Sequence, residues 1–242
     1  MVIMKIMVEY MDNKMNLSEI EYIVCIPSAL SPSVGAVSLE DRLEQTLVGI
    51  ESIRAKFPNV FIIMADCSVR PADEQREIVS KKVDLYMDHS NVDINRQLSE
   101  AGLKSHSELI MFNSMYSWIK QNQSQFPSLK RIFKVGGRMK VSDEFDIKDY
   151  EGDNVKDKYV FKKPLNSWIS PELMLYENRL WSLDISLLDD YLSKIQDMYN
   201  SFDGRFDIEH TYYKHLDPAN VELFDDVWVE GIMALYGTFV KD

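Results

Sequence analysis

The first 90 residues alternate apolar segments with amphipathic ones, and this alternation most constrains the fold. Continuous apolar runs lie at Tyr22–Ile26 and Val60–Ala65, and a third short strand is predicted at Val83–Met87. Between them, residues 39–56 and 71–82 carry apolar side chains at helical spacing. Strands that are apolar on both faces and separated by amphipathic helices form a parallel sheet covered on both sides. The sequence therefore predicts an α/β fold.

Polar residues follow the predicted strands at the edge where such sheets bind ligands. Pro27 and Ser28 end the first strand, Asp66 and Ser68 follow the second, and Asp88 follows the third. Each of them can equally be a turn or cap residue. The absence of G-x-G-x-x-G after the first strand, and of G-x-x-x-x-G-K-[ST] anywhere, argues against dinucleotide dehydrogenases and P-loop NTPases.

Length, composition and net charge limit the classes of partner that this chain can bind. The 242 residues, 45% hydrophobic and 27% charged, are typical of a globular protein and fit one large domain or two small ones. We predict a single domain over residues 1–242. A net charge of −12 predicts no nucleic-acid partner, because phosphate contacts need clustered Lys and Arg. One local basic pocket can still bind a small anion. No stretch is long and apolar enough to predict a membrane span.

Two cysteines, Cys25 and Cys67, stand in apolar runs and form neither a disulfide framework nor a zinc motif. Their positions predict buried free thiols. Free thiols favour a reducing, cytoplasmic location.

The segment RIFKVGGRMKVSDEFD, residues 131–146, combines a buried strand with a glycine break. Glycines at 136 and 137 let the backbone come close to whatever lies beyond the strand. Arg138 follows directly, and a guanidinium can hold a diphosphate through two parallel hydrogen bonds. The alternative is a β-hairpin with Gly136-Gly137 as its turn and Arg138 in solvent.

A strong helix is predicted over residues 104–121, after a polar connection at residues 91–103. Lys104 stands at its start, where the helix dipole disfavours a cation. That placement makes sense if a phosphate docks on the same helix end. The alternative is a lysine in solvent.

Several stretches resemble the GT-A class of nucleotide-sugar glycosyltransferases, and in particular a poorly characterised bacterial and viral group. The stretches are RLEQTLVGIESIRAKFPNVFIIMADCS, KSHSEL, KVGGRMKVSDEFD and DIEHTYYKHL. The resemblance implies a GT-A-like, Rossmann-like fold: a mixed, mostly parallel sheet with helices on both faces. It also implies a nucleotide-binding half over about residues 20–135 and an acceptor half over about residues 136–242.

The resemblance also implies which residues bind a nucleotide-sugar donor: Pro27, Ser28, Arg42, Asp66, Ser68, Lys104, Gly137 and Arg138. Many GT-A enzymes carry a metal-binding Asp-x-Asp motif where this chain has Gly136-Gly137-Arg138. We therefore expect no metal and no other cofactor, with Mn²⁺ conceivable but not expected. Lys104 and Arg138 then neutralise the leaving diphosphate.

Sugar transfer with inversion needs a base that takes the proton of the acceptor hydroxyl. The resemblance favours Glu209, since many such enzymes use a carboxylate late in the chain, and His210 is the second candidate. Adjacent residues on a helix point about 100° apart, so only one of them faces the site. Both can instead belong to a solvated helix face.

The predicted function is sugar transfer from a nucleotide-sugar donor to a carbohydrate or glycoconjugate acceptor. Two alternatives stay open. A nucleotidyltransferase would carry a glycine-rich, basic loop after the first strand, whereas ALSPSVGAVS has one glycine and no basic residue. A non-catalytic GT-A-like binding protein would explain the missing Asp-x-Asp. Trp168, in NSWISP, is a candidate for stacking on a sugar.

Overall fold

The computed structural model describes residues 8–10, 16–31, 37–68, 72–101, 103–202, 206–232 and 238–242. In these ranges the strands are β1 (Val8–Tyr10), β2 (Tyr22–Ser28), β3 (Val60–Asp66), β4 (Leu85–Asp88), β5 (Arg131–Val135), β6 (Met139–Val141), β7 (Tyr159–Lys162), β8 (Leu165–Asn166), β9 (Met174–Leu175), β10 (Leu180–Asp184), β11 (Val221–Phe224), β12 (Val229–Ile232) and β13 (Phe239–Lys241). The α-helices are α1 (Leu39–Lys56), α2 (Asp73–Ser80), α3 (Asp93–Glu100), α4 (Lys104–Asn122), α5 (Leu188–Asn200) and α6 (Ile208–His215).

The central sheet has the strand order β1-β4-β3-β2-β5-β10-β7-β11. Strands β4, β3, β2 and β5 run parallel to one another. Strand β10 is antiparallel to both β5 and β7, while β11 pairs in parallel with β7. The predicted α/β class, with a mixed and mostly parallel sheet, is confirmed.

Hydrophobic cores cover both faces of the sheet, as the continuous apolar strands predict. Ile23 and Cys25 of β2 face a core that includes Phe112 of α4. Val24 of the same strand faces the opposite core, which includes Ile50 of α1. Because β2 is buried on both faces, its sequence YIVCI shows no polar alternation.

The turn after β5 is not a hairpin turn. Strand β6 pairs with β12 in a separate three-stranded sheet. Both edges of β5 are already occupied, because β2 pairs along one edge and β10 along the other. The hairpin alternative for Gly136-Gly137 is therefore wrong.

The predicted polar connection at residues 91–103 contains a helix, α3. This helix has only eight residues, and Leu98 is buried while Ile94 is 43% exposed. One buried leucine in so short a segment gives too little periodicity for a prediction. Among the described residues, no helix combines the length and the apolar character that crossing a bilayer requires.

Candidate functional site

The carboxyl ends of β2 and β3 are organised by one buried carboxylate. Asp66 is fully buried and pairs in register with Ser28. Its Oδ1 accepts hydrogen bonds from the Leu30 amide at 2.9 Å and from Ser68 Oγ at 2.8 Å. Its Oδ2 accepts from Arg76 Nε at 3.2 Å. Burial raises the pKa of Asp66, and these donors oppose that rise.

Ser68 is engaged in the same way. Its hydroxyl donates to Asp66 and accepts a hydrogen bond from the Ser31 amide at 2.8 Å. Both oxygens of Asp66 and the hydroxyl of Ser68 are thus used inside the protein. These two predicted site residues shape the loop after β2 and do not offer free polar groups.

The turn after β5 packs closely against the carboxyl end of β2. It is closed by a hydrogen bond from the Met139 amide to the Gly136 carbonyl at 2.8 Å. A Cβ atom on Gly137 would lie 2.9 Å from the Pro27 carbonyl oxygen and 3.2 Å from the Ser28 side chain. The structure therefore brings Pro27, Ser28 and Gly137 together, because only a residue without a side chain fits there.

Helix α1 packs its first turns on this glycine turn. Thr46 Oγ1 donates to the Gly137 carbonyl at 3.1 Å and to the Arg42 carbonyl at 2.9 Å. One helical turn earlier, Arg42 is only 4% exposed, and its Nε atom is buried without a hydrogen-bond partner. The helix thus delivers a guanidinium to the carboxyl edge of β2 and β5.

Arg138 supplies a second guanidinium to this edge. Its Nη1 reaches the Ile232 carbonyl at 3.4 Å, and burial lowers the pKa of Arg138. Burial, together with the positive charge of Arg138, lowers the pKa of Arg42 to about 10. Within the described ranges, neither arginine forms an ion pair with a carboxylate. Arg42 is buried and Arg138 is partly buried, and the charge of Glu108 opposes the fall in the pKa of Arg138. Two neighbouring guanidinium groups of this kind can attract an anion.

Beside Gly136 lies a buried lysine that the sequence analysis did not single out. Lys134 of β5 donates to the Asn178 carbonyl, and its Nζ lies 3.4 Å from Glu108 Oε1. Burial lowers the pKa of Lys134, and the Glu108 charge opposes the change. Lys104, the exposed first residue of α4, is close enough to act on the same amine. A lysine inside the apolar run RIFKV was the available signal.

Glu209 lies in the first turn of α6, close enough to Lys134 for the charge of the lysine to act on its carboxyl group. Its Oε1 accepts a hydrogen bond from the Asn178 amide at 3.4 Å. Burial and the neighbouring charge of Asp207 raise the pKa of Glu209 to about 8. Burial thus favours the protonated form of Glu209, and a carboxyl group with a raised pKa is typical of residues that exchange protons with a ligand.

Both ring nitrogens of His210 have polar partners, and these differ from the partner of Glu209. Its Nδ1 lies 2.7 Å from Asp207 Oδ1, and its Nε2 lies 2.7 Å from Ser167 Oγ. The ring is 5% exposed and meets the edge of Trp168 at a centroid distance of 5.4 Å. Trp168 itself is 72% exposed.

No group of three or more His, Cys, Asp and Glu side chains is placed to hold a metal ion in the part of the chain that the structure describes. The predicted donor residues separate into two sets. Arg42, Gly137 and Arg138 meet at the ends of β2 and β5, whereas Asp66 and Ser68 support the adjacent loop.

No protein-family model and no curated protein matches the sequence. Its structure is similar to GlyE, a glycosyltransferase of Streptococcus pneumoniae TIGR4, with 10% identity and a TM-score of 0.47 over 86% of this chain and 46% of that one. A glycosyltransferase involved in glycosylation of the major capsid of PBCV-1 is 12% identical, with a TM-score of 0.43 over 85% of this chain and 81% of that one.

A third similar structure is the 4-diphosphocytidyl-2C-methyl-D-erythritol synthase of Anaerococcus prevotii DSM 20548. It is 14% identical, with a TM-score of 0.44 over 86% of this chain and 88% of that one. Likeness this remote assigns neither an activity nor a residue role. The chain is similar in structure to glycosyltransferases, and it spans less than half of GlyE.

Proposed function

We propose that this protein binds a nucleotide-sugar donor and transfers the sugar to a carbohydrate or glycoconjugate acceptor. The observation that carries the proposal is the pair of Arg42, which is buried, and Arg138, which is partly buried, beside Gly137; within the described residues neither forms an ion pair with a carboxylate. A diphosphate carries negative charge that would balance the two positive guanidinium groups, and its oxygens match the planar N–H donors of a guanidinium. Gly137 allows the ligand to approach the backbone at the strand ends.

Transfer requires charge stabilisation on the leaving nucleoside diphosphate. Arg42 and Arg138 would hold its phosphates, and Lys104 would add a third cation from the start of α4. We propose that these side chains do the work that Asp-x-Asp and a divalent ion do in many GT-A enzymes. The transfer is then independent of metal.

Glu209 is the group proposed to take the proton from the acceptor hydroxyl. Its pKa of about 8 lies near the working range of a general base. The positive charge of Lys134 opposes the rise in the pKa of Glu209. His210 is less suited to this step, because both of its ring nitrogens already have partners.

The two cysteines are free and buried. We extend the proposal to a reducing, cytoplasmic compartment, where such thiols persist. No nucleic-acid partner is proposed, since the net charge is −12.

A thermal-shift screen tests the proposal. UDP-, GDP-, CMP- and dTDP-sugars are added in the presence of either EDTA or Mn²⁺, and ligand that binds only the folded state raises the midpoint. We expect one nucleotide family to raise it equally under both conditions, and the matching Arg138→Ala protein to lose the shift.

Other outcomes overturn parts of the proposal. A shift that appears only with Mn²⁺ refutes metal independence. If no nucleotide-sugar raises the midpoint but a nucleoside triphosphate, tested in the same assay, does so, the nucleotidyltransferase alternative is supported. Binding without transfer or release of nucleoside diphosphate, across a panel of saccharide acceptors, supports a non-catalytic binding protein.

A further inference from the structure

Asp207, His210 and Ser167 form a continuous hydrogen-bonded series. Asp207 is the N-cap of α6, and its Oδ1 accepts from the amides of Glu209 at 3.2 Å and His210 at 3.3 Å. The same oxygen lies 2.7 Å from His210 Nδ1, and His210 Nε2 lies 2.7 Å from Ser167 Oγ. Ser167 comes from a loop 43 residues earlier in the chain. The three side chains thus meet through tertiary folding.

The donors and acceptors fix the direction of the protons. Asp207 Oδ1 already accepts two amide hydrogens, so it acts as an acceptor towards His210 Nδ1–H. With its proton on Nδ1, the neutral imidazole offers a lone pair at Nε2. The Ser167 hydroxyl accepts the Ile169 amide at 3.0 Å, and with Nε2 unprotonated its own hydrogen is donated to His210. This is the arrangement that activates a serine oxygen.

The backbone amide that follows Ser167, that of Trp168, has no hydrogen-bond acceptor in the described part of the protein. The amide that follows a nucleophilic serine is one of the groups that stabilise an oxyanion in acyl transfer. Ser167 is 6% exposed, and the ring of Trp168 meets that of His210 edge-on. Access is therefore limited to small groups that pass Trp168.

We propose that Ser167 is an activated nucleophile that accepts a small acyl group from a carboxylic ester. Ser167 Oγ forms a bond to the carbonyl carbon while its proton moves to His210 Nε2. The ester C–O bond then breaks, and the leaving alkoxide takes that proton. Water afterwards cleaves the acyl-serine and releases the carboxylic acid. This activity needs no sugar donor, although Asp207 also accepts a hydrogen bond from the Glu209 amide and its charge acts on the Glu209 carboxyl group.

Methanesulfonyl fluoride is a small probe for this reactivity. Ser167 Oγ would form a bond to sulfur, the S–F bond would break, and His210 would take the proton. Intact-mass measurement and peptide mapping should find one sulfonyl group, on Ser167. Ser170→Ala is the matched control, because Ser170 lies in the same loop and contacts neither Asp207 nor His210. It should label at the wild-type rate.

His210→Gln and Asp207→Asn show whether His210 activates Ser167 or only holds the loop that carries Ser167 in place. If His210 is the base, His210→Gln should slow labelling of Ser167 about 100-fold or more, in protein whose circular dichroism is unchanged. Asp207→Asn should slow it as well, and Trp168→Ala should accelerate it. Undiminished labelling in His210→Gln overturns the proposal. So does the absence of a Ser167 adduct in both the wild type and Trp168→Ala.

Hydrolysis of p-nitrophenyl acetate gives the second readout. We expect turnover in the wild type and in Arg138→Ala, since the donor site plays no part, and loss of turnover in Ser167→Ala. Equal hydrolysis by the wild type and Ser167→Ala refutes an ester substrate. Loss of donor binding in Arg138→Ala with esterase activity retained shows that the two proposals succeed or fail separately.

Discussion

Arg42 and Arg138 illustrate how a binding residue differs from a structural one. A structural arginine such as Arg76 is satisfied by the protein itself, through Asp66, Asp73 and the Ser68 carbonyl. Arg42 instead has a buried Nε without a partner, and the positive charge of Arg138 contributes to lowering its pKa. Such an arrangement costs stability in the free protein, and an anion restores it.

Replacing Arg138 should separate ligand affinity from stability. Arg138→Ala should weaken donor binding by about 1.5–3 kcal/mol, because a charge-assisted hydrogen bond is lost. The free energy of unfolding without ligand should stay equal or rise, since a like charge near Arg42 is removed. Titration calorimetry and urea unfolding measure the two effects. Arg96→Ala, an exposed arginine on α3 paired with Asp93, is the control. Unchanged affinity would exclude Arg138 from the donor site.

Glu209→Gln should leave donor binding intact and reduce turnover about 100-fold or more, because the amide cannot accept a proton. In the wild type, kcat/KM should rise with pH up to about 8, where Glu209 loses its proton. Rates measured from pH 6 to 9 on both proteins decide this. A pH profile that is the same in Glu209→Gln would place the base elsewhere.

The same carboxyl group makes stability depend on pH. Its pKa is about 8 in the folded protein and about 4.3 in an unfolded chain. The folded state thus holds the proton more tightly, and the stability that Glu209 contributes is complete below about pH 4 and is lost as pH rises through about 8. Urea unfolding of the wild type should show this loss, and Glu209→Gln should lack it. Parallel curves would refute the raised pKa.

Single residues were predictable where they break a local pattern. Gly136 and Gly137 interrupt a strand, and Lys104 opens a helix at the unfavourable end, so both positions could be named from the sequence. The pairing of Ser167 with His210 could not, because it depends on how two distant segments fold together. The position of Asp66 at a strand end was predicted from the sequence. Its hydrogen bonds to Leu30 and Ser68 could not be predicted, because they depend on the path of the loop after β2.

At the scale of elements, the turn between β5 and β6 decides the geometry of the site. Gly137→Ala would force a Cβ against the Pro27 carbonyl oxygen at 2.9 Å, and backbone cannot move away as a side chain can. We expect a loss of about 1–3 kcal/mol in the free energy of unfolding, with weaker donor binding as Arg138 shifts.

Gly136→Ala is the matched control for that substitution. Its Cβ would meet the flexible Met139 side chain at 3.3 Å, so the loss measured by urea unfolding should be smaller. Equal losses in the two variants would show that the close approach at Gly137 is not the cause.

Elements with strong periodicity were predictable, and those with weak periodicity were not. Helices α1 and α4 bury a full face along 18 and 19 residues, and both were located from their spacing. Helix α3 and strand β6 are short, and the partner of β6 lies 90 residues away in β12. Pairing over that distance leaves no local trace in the sequence.

For the whole molecule, the alternation of the first 90 residues fixed the class of fold, because parallel strands need helical crossovers. The order of β10, β7 and β11 could not be derived in this way. Those strands mix parallel and antiparallel pairing, and several topologies satisfy the same pattern of apolar runs.

Global unfolding should control the reactivity of both cysteines. Cys25 and Cys67 are buried, and burial raises the pKa of both thiols, that of Cys67 to about 12. Iodoacetamide should therefore react only through opening of the protein, at a rate that falls as stability rises. The unfolding free energy should be the same with and without reductant. Alkylation faster than unfolding, followed by mass spectrometry, would show a local opening instead.

Arg42 and Arg138 form no ion pair within the described residues, and their position in a molecule of net charge −12 has a kinetic consequence. An anionic donor approaching from a distance meets a repulsive field, and it meets attraction only within a few ångströms of Arg42 and Arg138. Added salt screens the long-range repulsion over about 10 Å at 0.1 M and weakens the short-range attraction less. Moderate ionic strength should therefore speed capture of the donor, the reverse of the salt dependence seen where the whole protein attracts its ligand.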